Sequence, residues 1–177
     1  MVLIKTNTNQ IEDPILFLNE EYDKINERVN LIDAIYWEIE KEGISETVNA
    51  RVSELIVNIF VFLKKLYRIE EEILYPELEA VLPAQSSATA MKSEHRHIIS
   101  ILRTIIKTLE NKEELKDNKD ILQAELITIA DLIRRNIHKK EKIIFHEART
   151  LLPEKALDEL HEKMKKELSF YLKRGET

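Results

Sequence analysis

Two tyrosines, a glutamate and a histidine occupy positions on otherwise apolar faces of predicted helices. Tyr67 and Glu71 lie four residues apart on a stripe that continues to Leu74, so a helix would turn both polar side chains inward. His95 lies within a three- and four-residue alternation of apolar side chains. Because a buried carboxylate is costly unless it is paired, protonated or coordinating a cation, this pattern predicts an internal polar site.

The acidic run Glu70-Glu71-Glu72 contributes one side chain to that site. Only Glu71 aligns with the apolar stripe at helical spacing. We therefore predict that Glu71 is buried and that Glu70 and Glu72 are solvated.

Long helices must position these groups, because the 177 residues include two glycines and four prolines and are rich in good helix formers. Asp13-Pro14 is typical of a helix start, and Gly43 of a helix end. We predict an all-α protein, an antiparallel up-down four-helix bundle with an additional C-terminal helix. Residues 13–177 would form one domain after an irregular segment, 1–12. The predicted helices span about 14–42, 45–82, 87–110, 121–152 and 153–174.

Composition excludes several classes of function. The chain has no cysteine, so disulfides and thiolate sites are absent, and it contains no run typical of a signal peptide or a membrane span. A formal charge of −6 argues against nucleic acid or a membrane as a partner. We expect a cytoplasmic protein. No hydrolase triad or phosphate loop is present, and we expect it not to be an enzyme.

The two halves of the chain repeat weakly. Residues 71–77 match 141–147, and residues 21–25 match 94–98, so the first two helices resemble the next two. In this repeat Pro76 corresponds to His146. We predict that Pro76 kinks the second helix, and that the histidine lets the fourth helix run straight.

Taken in order, four motifs resemble the hemerythrin-like (HHE cation-binding) family over about residues 12–170. The resemblance implies two iron ions held inside the bundle by histidine and carboxylate ligands, and a role in carrying, sensing or responding to oxygen, nitric oxide or iron. The motifs are Glu21-Tyr22-x-x-Ile25, Glu70-Glu71-x-x-Leu74-Tyr75-Pro76, Glu94-His95-x-x-Ile98 and Glu141-x-Ile143-Ile144-Phe145.

The resemblance keeps some of the family's ligand positions. Glu71 stands at the carboxylate position of the second helix and His95 at a histidine position of the third. On the fourth helix a five-residue spacing gives Glu141 as the ligand, whereas a four-residue spacing gives Lys140.

Other ligand positions are replaced. Tyr22, Tyr67 and Asn136 stand where the resemblance implies histidines, and Ile99 stands where a second histidine of the third helix would fall.

These replacements leave different interpretations open. In the first the site is metal-free: Tyr22, Tyr67, His95 and Asn136 form a polar layer, and Lys140 supplies the positive charge and pairs with Glu71. In the second, iron is retained by tyrosinate and the remaining ligands, which are Glu71, His95, Glu141, Tyr22 and Tyr67.

A ferritin-like carboxylate centre is disfavoured, because it needs a Glu-x-x-His step on two helices and only Glu94 to His97 offers one. The favoured interpretation is a binding or regulatory module without a cofactor. Iron, and with it oxygen or nitric oxide, would bind only if the residual site is occupied. An exposed apolar patch around Trp37, Ile39 and Ile44 would support a homodimer.

Overall fold

The computed structural model describes residues 13–82, 87–111 and 119–173, without the side chains of 170–173. Over these residues the chain is helical and the predicted all-α bundle with an additional C-terminal helix is confirmed. The predicted irregular segment 1–12 lies outside the described residues, as does most of both connections flanking the third long helix. The helices are α1 (Pro14–Glu42), α2 (Glu46–Ile69), α3 (Tyr75–Val81), α4 (Ser87–Glu110), α5 (Lys119–Lys139), α6 (Phe145–Leu151) and α7 (Glu154–Lys173), with π segments at Glu70–Leu74 and Lys140–Ile144.

The first helix begins and ends where local chemistry predicts. The Asp13 side chain accepts a hydrogen bond from the Ile15 amide, which would otherwise have no partner in the first turn. At the other end Gly43 has a φ of 76° and donates its amide hydrogen to the Ile39 carbonyl. Glycine adopts this left-handed backbone without the steric cost that a Cβ would add.

The four long helices form a ring. α1 contacts α2 and α5, and α4 contacts the same two helices, so α1 lies diagonally across the bundle from α4 and α2 from α5. Each helix buries one apolar stripe at three- and four-residue spacing, as expected for a bundle. Fully buried members of these stripes are Leu18, Ile25, Val29, Ile56, Ile59, Leu63, Leu102, Ile105, Ile129 and Ile133.

Both halves contain the same wide helical turn. The Tyr75 amide donates to the Glu70 carbonyl, and the Phe145 amide donates to the Lys140 carbonyl, each five residues back instead of four. The fourth helix therefore does not keep a regular α-helical hydrogen-bond pattern up to His146, while its straightness stays a prediction. Because a five-residue turn holds one additional residue, it rotates the side chains on either side of it relative to an ideal α-helix.

Helix α7 packs on α1, α2 and the first π segment, and it buries Leu160 and Met164 completely. On α1 the predicted apolar patch is wrong as stated. Trp37 is 61% exposed, but Ile39 is fully buried because it lies on the core stripe. None of the described helices has the length and hydropathy needed to cross a membrane.

Candidate functional site

An ion pair between Glu70 and Lys140 lies at the centre of the bundle. The Lys140 Nζ is 2.7 Å from the Glu70 Oε2, and both side chains are completely buried. Each residue is the first of its π segment, so the two wide turns face each other across the core. The pair therefore joins α2 and α5, which are diagonal in the ring.

Two tyrosines complete the surroundings of the ammonium group. Lys140 donates a hydrogen bond to the Tyr22 hydroxyl, and its Nζ lies 4.4 Å from the centre of the Tyr22 ring. The Tyr67 ring centre is 4.3 Å away. The cation is thus held by a carboxylate, a hydroxyl and the π faces of both rings, which together replace much of its hydration.

His95 connects the two adjacent glutamates. Its Nε2 lies 3.3 Å from the Glu70 Oε2, and its Nδ1 lies 2.7 Å from the Glu71 Oε1. The imidazole stacks on Tyr67 with ring centres 3.7 Å apart and planes 5° apart. The Tyr75 hydroxyl donates to Glu70 at 3.1 Å and lies 3.5 Å from the His95 Nε2. Both nitrogens of the imidazole therefore face carboxylates.

Asn136 extends the cluster toward α4. Its Oδ1 accepts a hydrogen bond from the Tyr67 hydroxyl at 3.3 Å, and its Nδ2 donates to Glu94 at 3.1 Å. Lys139 also donates to Glu94, from the surface side. The interior network thus reaches the edge of the bundle between α4 and α5.

The cluster follows the internal repeat. Glu70 and Lys140 are repeat equivalents, and so are His95 and Tyr22, which contact Glu70 and Lys140 respectively. Tyr75 corresponds to Phe145, whose ring centre is 6.3 Å from that of Tyr22. The two halves therefore contribute equivalent positions with opposite charge.

Burial and pairing shift the protonation equilibria of these groups. Burial alone would raise the pKa of the Glu70 carboxyl, but the Lys140 ammonium and the contacts of His95 outweigh it and lower the pKa to about 2. Burial lowers the pKa of Lys140 to about 8, against the opposing attraction of Glu70. Burial also raises the pKa of Tyr22 and of Tyr67 well above the ordinary value, so both phenols stay protonated.

The placement of the carboxylates differs from the sequence analysis. The expectation that Glu70 is solvated is wrong, because its side chain is fully buried. Glu71 is 35% exposed and contacts His95 at the boundary of the core, and the partner of Lys140 is Glu70 instead of Glu71. Glu141 is exposed and takes no part in the cluster. The internal repeat could have identified Glu70. It aligns Glu70 with Lys140, a residue of opposite charge that the sequence analysis already placed in the core.

The remaining predicted residues lie together. Tyr22, Tyr67, His95 and Asn136 are buried and linked through the contacts described above.

A di-iron centre does not fit this donor set. The Lys140 ammonium lies against the Glu70 carboxylate, where a second cation would be repelled, and the nearby phenols are held protonated. Across residues 13–82, 87–111 and 119–169 no group of three or more histidine, aspartate and glutamate side chains is arranged to hold a metal ion. Within the polar cluster, the buried Glu70 Oε1 has no hydrogen-bond partner among the described residues.

A known protein family matches most of the chain. The sequence pattern of the Hemerythrin HHE cation binding domain matches residues 13–148, which include both π segments and the whole polar cluster. A search among curated proteins finds no significant relative.

Proposed function

Because the chain belongs to the hemerythrin HHE cation-binding domain family, we propose that it is a member in which an internal ion pair replaces the di-iron centre. The family is defined by cation binding, and in this chain the cation at the centre of the bundle is the Lys140 ammonium. The protein would act as a binding or regulatory module and not as an enzyme.

The observation that carries this proposal is the position of Lys140. Its Nζ contacts the Glu70 carboxylate and the Tyr22 hydroxyl while the side chain is fully buried. A fixed positive charge at this point neutralises the carboxylate that a metal would otherwise neutralise. The stacked Tyr67 and His95 rings fill the adjacent space.

Such a site supports binding or regulation better than catalysis. The Glu70 and Lys140 charges are engaged by each other inside the core, whereas a catalytic acid or base must reach a bound substrate. The network also links all four long helices, through Tyr22, Tyr67, His95 and Asn136, so its energetic role would be to specify how they pack. This role is consistent with a domain that keeps its fold while its ligand binds elsewhere on the molecule.

Metal analysis tests the proposal. The full chain is produced with iron supplied, purified without chelators, and measured for metal content and visible absorption. We expect a folded, colourless protein with far less than one iron per chain. Stoichiometric iron, with an oxo-bridge or tyrosinate absorption band, would overturn the proposal.

A second candidate is an iron protein that binds oxygen or nitric oxide. The observation that favours it is the Glu70 Oε1, a buried carboxylate oxygen without a hydrogen-bond partner among the described residues, close to His95 and Glu71. Iron binding here would require Lys140 to leave Glu70. The same metal analysis separates the two candidates. Iron in the wild type supports this second candidate, whereas iron in the Lys140→Gln variant alone shows that Lys140 excludes the metal.

We further propose a cytoplasmic homodimer whose partners include neither nucleic acid nor membranes. The absence of cysteine supports the cytoplasmic location. The formal charge of −6 supports the absence of nucleic acid and membranes among the partners. Trp37 and Leu31, 61% and 54% exposed on α1, support self-association. Light scattering over a concentration series tests this, and a constant monomer mass would contradict it.

A further inference from the structure

A groove between α2 and α4 leads from the surface to the polar cluster. It encloses a cavity of about 400 Å³, a volume within the range that small ligands occupy. We propose that this groove binds a small organic molecule through an oxyanion group, either phosphate or carboxylate. The inference names the ligand class of the proposed binding module and rests on that proposal.

Positive charge converges on the groove from both helices. Lys64 and Arg68 line it from α2, and Arg96 and Arg103 line it from α4. Two carboxylates, Glu71 and Glu72, also line it, so cations outnumber anions by two to one. This local excess is opposite in sign to the charge of the whole chain, which is −6.

The carboxylates leave most of this charge available to a ligand. Arg68 is paired with Glu72, its Nε lying 2.9 Å from both carboxylate oxygens. The ion pairs found in the described part of the chain do not involve Lys64, Arg96 or Arg103. Arginine forks match the oxygens of carboxylates and phosphates, which makes an oxyanion the complementary ligand.

Two of these cations lie near the same aromatic ring. The Lys64 Nζ and the Arg103 guanidinium carbon each lie 5.8 Å from the centre of the Phe60 ring. Because α2 and α4 pack directly, both cations are carried by rigid elements. Preorganised charges cost less to bring to a ligand than flexible ones.

The floor of the groove supplies an apolar surface and a link to the interior. Ile99 and the Tyr67 ring provide apolar contact for the organic part of a ligand, and His95 lies beside them. The Glu71 carboxylate, which lines the groove, also holds the His95 Nδ1 at 2.7 Å. A ligand in the groove would therefore contact His95, the residue that links the partly exposed Glu71 to the buried Glu70.

The test uses the uniformly ¹⁵N-labelled full chain, titrated separately with inorganic phosphate and with citrate. Chloride keeps the ionic strength constant, and the amide signals of His95 and Ile99 report on binding. We expect a saturable shift with at least one anion.

Arg96→Gln and Arg103→Gln should each raise the dissociation constant by about tenfold or more, which is the contribution of one charge-assisted hydrogen bond. Arg135→Gln, an exposed arginine on α5, is the matched control and should change it by less than about twofold.

Each result decides the inference. A response to phosphate alone or to citrate alone supports it and identifies the oxyanion class. The absence of a saturable shift with both anions overturns it, and so does equal weakening by all three arginine variants, which would indicate general screening. Iron content is measured on the same samples: metal-free protein without anion binding overturns only this inference, whereas iron-loaded protein that binds the anion overturns only the proposed metal-free function.

Discussion

Glu70 and Lys140 illustrate how a buried charge becomes tolerable. Each charge alone would be costly inside a bundle, and each is acceptable because the other lies 2.7 Å away with tyrosine hydroxyls nearby. The pair contributes little net stability, since desolvation offsets most of the attraction. Its importance becomes apparent when one partner is removed.

Lys140→Met alone should destabilise the fold by about 3–5 kcal/mol, because it leaves the Glu70 charge buried without its cation. The double variant Glu70→Gln/Lys140→Met should recover most of that loss. Urea unfolding followed by circular dichroism measures each free energy.

The control for this cycle is Glu71→Gln/Lys140→Met. Glu71 is partly exposed and does not contact Lys140, so this change should recover little. Equal recovery by the Glu70 and Glu71 changes would contradict the pairing.

The pKa of Glu70 predicts a specific dependence of stability on pH. It is lowered from 4.5 to about 2 in the folded chain, so between these values the unfolded state binds more protons than the folded state. The stability that this carboxylate contributes is therefore present above pH 4.5 and is lost as the pH falls toward 2, with a magnitude of about 3 kcal/mol.

Paired unfolding curves of the wild type and Glu70→Gln isolate this contribution from that of the other carboxylates. The stability difference between the two proteins should shrink as the pH falls from 4.5 to 2. A difference that stays constant over that window would show that Glu70 titrates normally.

At the scale of the element, each half of the chain carries a π segment that begins at a buried charged residue. Both segments place their first residue inward, although Pro76 follows one and His146 follows the other. The wide turn therefore does not depend on proline. Its recurrence in both halves suggests that packing across the pseudo-symmetric centre maintains it.

His146→Pro should consequently be well tolerated, costing less than about 1 kcal/mol, because the equivalent backbone position already accepts Pro76. Thr104→Pro, at an exposed site inside α4, should cost about 3 kcal/mol or more. Denaturant unfolding compares the two variants. A similar loss in both would mean that the turn before His146 offers proline no accommodation.

At the scale of the whole molecule, α7 joins the bundle through buried side chains. We propose that residues 13–177 form one cooperative domain, in which Leu160 and Met164 of α7 seal the side formed by α1 and α2.

Leu160→Ala should then destabilise the entire protein by about 2–5 kcal/mol while leaving a single transition, because the cavity would lie in a shared core. Leu151→Ala, at a side chain that is 42% exposed, is the control and should cost less than about 1 kcal/mol. Two separate transitions in the Leu160 variant, monitored by circular dichroism and by Trp37 fluorescence, would contradict a single domain.

The sequence by itself determined the helices, their order and the family. Apolar periodicity, the Asp13 and Gly43 signals and the repeat are local or near-local features, and each can be read without coordinates. They also sufficed to select Tyr22, Tyr67, His95 and Asn136 as inward-facing.

Only the tertiary structure decided which carboxylate pairs with Lys140. A four-residue step from Tyr67 leads to Glu71 and a three-residue step leads to Glu70, and both steps stay near one face of an ideal helix. In the fold Glu70 is fully buried, whereas Glu71 is 35% exposed and Glu141 is exposed. The choice depends on Lys140 of the opposite helix, because a carboxylate is tolerated in the core only beside a cation, and no single stretch of sequence specifies that contact.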